Sequence, residues 1–388
     1  MLQAKSSEGK LITLATLTPV ELQKLKLEKK QFTCPVCGNR VIVKAGLRVI
    51  PHFAHKQTDS CLASKQGEGA YHENGKLLLY QWLKSQQLQV KLEPYLPDIQ
   101  QRPDILVSIN NKTIAIEYQC ARISPEIIQE RNQGYQRAGI IPIWMMGEKL
   151  LKRKSIFQFK LDSFLQYFIH QFSTTLKPTL YFFCPYTTQL ITIADIYSMG
   201  NGLAYGVFHV QKLSSVSFPH LFHYRGFLES ELWRLWNKEK ARFRLKPINQ
   251  RGSDFKWHKW LYEHGCHRDY LPSIIHLPIQ AQIFMKAPLW QWQSRVFLEK
   301  IAPLNVGSSI SLTKLTSFIS HFVYDGSAFP LIKPFHNPIE EYMDLLCKFG
   351  FFEKKNEKLY RKIRSTPLYS SLEDSIKGDQ KLVLQICR

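Results

Sequence analysis

RPDILVSINNKTIAIEYQ, residues 102–119, is the stretch that decides the fold. Two apolar, β-branched runs flank Asn110 and Asn111, and asparagine tolerates the positive φ that a two-residue hairpin turn demands. Asp104 opens the first run and Glu117 lies in the second, where the period of two puts Gln119 on the same face. A hairpin joining the runs brings Asp104 beside Glu117. A carboxylate ending an apolar strand needs a partner, and two hard oxygen donors suit Mg²⁺ or Mn²⁺.

Outward from the hairpin, GEGAYHENGKLLLYQWLKSQ (67–86) reads as a helix. Its Glu68, His72 and Lys76 recur every four residues and share one face, which either looks into the carboxylate site or is a solvated stripe with an ion pair. On the other side a polar helix leads into the apolar run GIIPIWMM (139–146). Helix, hairpin, helix and strand make an α/β core over residues 65–150.

Residues 1–64 read as a separate small module with a strand-like opening. LTPVELQKLKLEKK follows, an amphipathic helix with Thr18 as N-cap. Cys34 and Cys37 then form a Cys-x-x-Cys knuckle, and His52, His55 and Cys61 supply further donors. The fourteen residues between Cys37 and His52 suffice for the hairpin of a zinc ribbon. Zinc takes four ligands, so the five candidates exceed the need by one. Cys34, Cys37 and Cys61 with His55 is the preferred set, because His55 lies nearer Cys61 than His52 does. Such a closed site is structural.

These segments carry a resemblance. Arg102-Pro103-Asp104, followed after twelve residues by Glu117-Tyr118-Gln119 and preceded by a helix bearing Glu68, resembles the PD-(D/E)XK nuclease core, with glutamine where the commonest pattern has lysine. The order FTCPVCGNRVIVKAGLRVIPHFAHK, EGAYHENGK, RPDILV, AIEYQ and ERNQGYQRAGIIPIWMM is similar to that of the CoiA family of competence proteins from naturally transformable bacteria. The likeness is dense over residues 30–150; WQWQSRVF (290–297) is a weaker echo. It implies a restriction-endonuclease-like α/β core and a role in processing or recombining DNA after uptake. It implies Asp104 and Glu117 as ligands of a catalytic Mg²⁺ or Mn²⁺, Glu68 as a supporting carboxylate and Gln119 at the lysine position. An amide orients water but carries no charge, so Lys76 or His72 would supply the positive group.

Residues 151–388 form a mixed, mainly helical C-terminal region for DNA or a partner. LYFFCPYTTQLITIADIY (180–197) reads as a strand pair, and helices broken by Pro272, Pro278, Pro288 and Pro303 follow. PIEEYMDLLCKFGFFEKKNEKLYRKI (338–363) is a helix and a basic hairpin, either winged-helix-like or, the preferred reading, a charged edge that resists aggregation. In residues 231–270 Lys and Arg interleave with aromatics, as in single-strand binders. A core stripe of Leu232, Trp233, Trp236 and Phe243 is the preferred reading there. His264, Cys266 and His267 crowd together too closely to ligate one ion.

Lysine and arginine number 52 against 31 acidic residues, a net charge of +21. That balance favours a polyanion, so DNA, including single-stranded DNA, is the expected partner, with recombination proteins beside it. A hydrophobic content of 44% excludes a disordered basic tail. The absence of a signal pattern or a long apolar run leads to the expectation of a cytoplasmic protein. A metal-dependent deoxyribonuclease is the first functional reading. A non-catalytic DNA-binding recombination factor on a nuclease scaffold is the second.

Overall fold

The computed structural model describes residues 1–388 except 29, 47–49, 56–60, 62–68, 248–251, 334 and 386–388, and the side chains of Ser253 and Ser327. The N-terminal module comprises β1 (Gln3–Ser6), β2 (Leu11–Thr13), α1 (Pro19–Leu27), β3 (Phe32–Thr33), β4 (Arg40–Lys44) and β5 (His52–His55). Among the described residues its strands form one antiparallel sheet, in the order β2-β1-β3-β4-β5. Thr18 caps α1 as the sequence leads one to expect: Glu21 N donates to Thr18 Oγ1 at 3.3 Å and Thr18 N donates to Glu21 Oε2 at 2.8 Å. The expected amphipathic face is weaker. No residue of α1 is buried, and Leu22 and Leu25 only half-cover the small core of Ala4, Leu14, Phe32, Val41 and Phe53.

The central layer follows with α2 (Ala70–Ser85), β6 (Gln89–Leu92), β7 (Ile105–Ile109), β8 (Lys112–Gln119), α3 (Pro125–Arg137), β9 (Ile140–Gly147), β10 (Gln158–Lys160), α4 (Ser163–Gln166), β11 (Thr179–Cys184), β12 (Gln189–Ser198) and β13 (Leu203–Lys212). These strands make one mixed sheet ordered β10-β13-β12-β11-β9-β8-β7-β6. Asn110 and Asn111 turn the β7–β8 hairpin at φ 46° and 59°, the left-handed pair of a type I′ turn. The α3 crossover makes β8 and β9 parallel, with Glu117 opposite Trp144. The sheet runs on past residue 150, where the α/β core was expected to end. Tyr181 of β11 pairs parallel with Met145 of β9, and every residue of β11 is buried. The irregular stretch before β11 breaks the hydrophobic period, so the continuation does not show in the sequence.

Helix α2 packs Leu79 and Leu83 against one face with Ile116, Tyr118 and Phe183. Gly75 permits that closeness, since a Cβ there would overlap the Tyr118 ring. On the other face, Ile128 of α3, Trp144 and Met146 belong to a core that continues into the C-terminal region.

That region holds α5 (Glu229–Leu245), α6 (Gly252–Glu263), α7 (Leu289–Val296), β14 (Ser309–Ser311), α8 (Leu312–Ile319), α9 (Pro338–Lys348), β15 (Phe352–Asn356), β16 (Leu359–Lys362) and α10 (Leu372–Leu384). Trp233, Trp236 and Phe243 of α5 are buried, as the core-stripe reading requires. Arg244 and Lys240 reach Asp379 of α10 at 3.0 and 3.3 Å. The order β14-α8-α9-β15-β16, with sheet order β14-β16-β15, is a winged-helix arrangement. The helix that such an element lays in a DNA groove is here acidic, with Glu340, Glu341 and Asp344 on α9, while Lys354 of the hairpin pairs with Glu340 and Asp344. Among the described residues no helix is long and apolar enough to cross a membrane.

Candidate active site

Asp104 immediately precedes β7, and the β7–β8 register places it at the end of the hairpin where Glu117 emerges. Tyr118 N donates to Asp104 Oδ2 at 2.9 Å, which fixes the carboxylate against β8. From α2, His72 Nε2 lies 3.5 Å from Asp104 Oδ2 and Lys76 Nζ 3.8 Å from Asp104 Oδ1. The His72 ring stacks on Tyr118 with centroids 5.6 Å apart. The face of α2 that carries His72 and Lys76 therefore does look into the site. Glu68, the first member of that series, lies outside the described residues.

Glu117 is buried and its Oε1 accepts from both Arg131 and Tyr135, one turn apart on α3; Oε2 takes no hydrogen bond among the described residues. Burial pushes the Glu117 carboxyl up to about 7 from 4.5; Arg131 opposes the rise and the charge of Asp104 adds to it. Partial burial alone would lower Arg131, but Glu117 and Tyr135 hold it above its ordinary value, so it stays a cation. Gln119 shares Glu117's face and is half-buried, its Nε2 donating to Ala121 O at 2.6 Å.

Beneath this surface lies an ionic cluster that the sequence reading misses. Lys76 is fully buried, 3.4 Å from Glu73 and in contact with Glu93; Arg102 lies 3.8 Å from Glu93, and Leu2 N donates to Glu93 Oε2 at 2.9 Å. The last bond ties the N-terminal module to the core. Arg131 and Tyr135 are likewise missed. Their four-residue spacing inside ERNQGYQ is the signal that could have found them.

In the N-terminal module the ligand atoms of Cys34, Cys37, His55 and Cys61 all lie within 4.8 Å of one another. The choice of His55 over His52 is the one the geometry makes. Three residues apart on β5, the two histidines point to opposite faces: His55 Nε2 sits 3.4 Å from Cys37 Sγ, while His52 Nδ1 pairs with Ile50 O at 2.9 Å. Three thiols and an imidazole form a donor set that could hold a metal ion.

Family models described as competence protein CoiA match along the chain: the N-terminal domain at residues 14–64, the nuclease-like domain at 68–226 and the C-terminal domain at 233–376. The competence protein CoiA of Bacillus subtilis (strain 168) is 30% identical over 374 residues, covering 94% of this chain and 98% of the relative. The chain belongs to the CoiA family of competence proteins. The CoiA nuclease-like domain contains both Asp104 and Glu117 and takes in β11–β13, in line with a single sheet. The CoiA N-terminal match spans three of the metal-group residues after Cys34 as well as Cys34 itself. No solved structure matches this CoiA chain significantly.

Proposed function

We propose that this protein is a metal-dependent deoxyribonuclease of the PD-(D/E)XK type, acting in the cytoplasm on DNA taken up during transformation. Single-stranded DNA is among its substrates, and recombination proteins act beside it. The observation that carries this reading is the hairpin register that sets Asp104 beside a Glu117 whose carboxyl rises partly because of Asp104's charge. Two carboxylates that repel, one with an oxygen free of hydrogen bonds among the described residues, fit a hard divalent cation. When bound, Mg²⁺ or Mn²⁺ would offset charge on the scissile phosphate and lower the pKa of the attacking water. Asp104 and Glu117 would hold the ion. Tyr118 N and Arg131 orient the two carboxylates; Gln119 would align water, and Lys76 would supply the cation that the usual lysine brings. Glu68 would serve as a supporting carboxylate.

Zinc is the ion proposed for Cys34, Cys37, His55 and Cys61. A sulfur at about 2.3 Å and a nitrogen at about 2.0 Å from tetrahedral zinc stand about 3.5 Å apart, close to the 3.4 Å between Cys37 Sγ and His55 Nε2. The second reading, a DNA-binding recombination factor without cleavage, is favoured by one observation: Arg131 and Tyr135 already compensate Glu117. Assays on single- and double-stranded DNA with Mg²⁺, Mn²⁺ or EDTA separate the two, since only the nuclease reading predicts ion-dependent cleavage.

A further inference from the structure

Away from the carboxylates, a cavity of about 670 Å³ lies between α5, α6, the start of α7 and the β10–β13 edge. That size is within the range of small-ligand sites, roughly 300–1,000 Å³. Phe243, Trp257 and Trp290 wall it, with Trp290's centroid 5.8 Å from Phe243 and 6.5 Å from Trp257. Exposed Lys238, Arg242 and Lys246 stand on its rim. Two acids also line it and pair with two of those cations, Glu239 with Arg242 at 3.5 Å and with the Tyr205 hydroxyl at 2.8 Å, and Asp254 with Lys246 at 3.8 Å; with Lys238 and Arg268 the lining keeps a net positive charge.

His276 forms the floor. Its ring is fully buried, 4.7 Å from Phe243 and nearly parallel to it, and 5.5 Å from half-buried Trp290. Among the described residues neither ring nitrogen has a hydrogen-bond partner. Its backbone is left-handed, at φ 63°. Burial, with the charge of Lys240 adding, holds its pKa well below the ordinary histidine value, so the imidazole is neutral, one donor and one acceptor. A buried orphan and a left-handed histidine both cost stability, and such costs persist where a site is built.

We propose that this cavity takes one unpaired nucleobase of single-stranded DNA, stacked on Trp290, its polar edge paired by His276 and its flanking phosphates held by Lys238, Arg242 and Lys246. A base edge presents donors and acceptors together, which matches a neutral imidazole whose two buried nitrogens are unpaired among the described residues. Aromatic walls under a cationic rim match a base carried on a phosphate backbone, whereas a purely apolar ligand has no use for the rim. The site lies apart from Asp104 and Glu117; the inference rests on the reading of single-stranded DNA as a partner and does not require cleavage.

The test is fluorescence anisotropy of a labelled thymidine oligonucleotide with the full chain in EDTA, so that cleavage cannot enter the readout. Trp290→Ala should weaken binding about ten-fold. His276→Phe, which keeps the ring stack and removes the nitrogens, should weaken it several-fold. Arg234→Ala, an exposed cation on α5 outside the cavity, should leave binding unchanged. An abasic oligonucleotide of the same length should bind wild type and Trp290→Ala alike, and circular dichroism checks that each variant folds. Wild-type affinity in both folded variants, or no binding by wild type, overturns the proposal. Thymidine monophosphate competing as strongly as the oligonucleotide overturns the strand assignment in favour of a free nucleotide.

Discussion

The Tyr135 hydroxyl donates to the same oxygen of Glu117 that Arg131 binds, so one helix, α3, holds the buried carboxylate of β8 at two points. Removing either donor leaves a buried acceptor under-satisfied. Tyr135→Phe should cost about 1–2 kcal/mol, and Arg131→Ala more, because the loss is charge-assisted. Urea titrations check the order; equal stability for Arg131→Ala and wild type would show that the pair is not a structural tie.

The raised carboxyl of Glu117 makes a pH prediction with opposite signs for stability and metal binding. Its folded value, about 7, exceeds the ordinary 4.5, so the protonated form is favoured in the fold. The stability it contributes is full below the ordinary value and is lost as pH rises through about 7. Mn²⁺ needs the carboxylate, so its affinity should climb over the same interval. Calorimetric titration and thermal melts across it test both, and Glu117→Gln should flatten both dependences.

Metal removal should act on the N-terminal module. Elemental analysis should find one zinc per chain, lost in Cys37→Ser and His55→Ala and retained in His52→Ala. Chelation should melt β3–β5 first, because the ligands join a module whose own apolar core is small. Zinc retained by His55→Ala and lost by His52→Ala would reverse the ligand assignment.

Gln119→Lys should preserve or raise ion-dependent cleavage, since it places a cation on the face that Glu117 shares. A complete loss of activity in this variant, with folding and DNA binding intact, would contradict the assignment of Gln119 to the lysine position.

The hairpin and the metal group were legible because each is written locally. Asn110-Asn111 fixes the turn, strand period fixes which side chains share a face, and Cys-x-x-Cys marks a knuckle. The five-member donor set resolves to four only once β5 is built, although the same period already sends His52 and His55 to opposite faces. What the sequence hides is long-range. The pairing of Glu117 with Arg131 crosses from strand to helix, and the contact of Lys76 with Glu93 depends on how α2 lies over the sheet. The continuation of that sheet into β11 spans an aperiodic segment. His276 reads as an ordinary residue among prolines, and only packing shows it buried with both nitrogens unpaired among the described residues.

The central claim is that Asp104 and Glu117 form a metal-dependent cleavage site, and the most direct measurement is strand scission of end-labelled DNA by wild type and Asp104→Asn, with Mn²⁺ or EDTA. The account predicts Mn²⁺-dependent products from wild type, none in EDTA, and none from Asp104→Asn, whose binding to DNA in EDTA should match or exceed wild type because a negative charge has been removed. Equal scission by wild type and Asp104→Asn, or no scission by wild type with either Mn²⁺ or Mg²⁺, would contradict it.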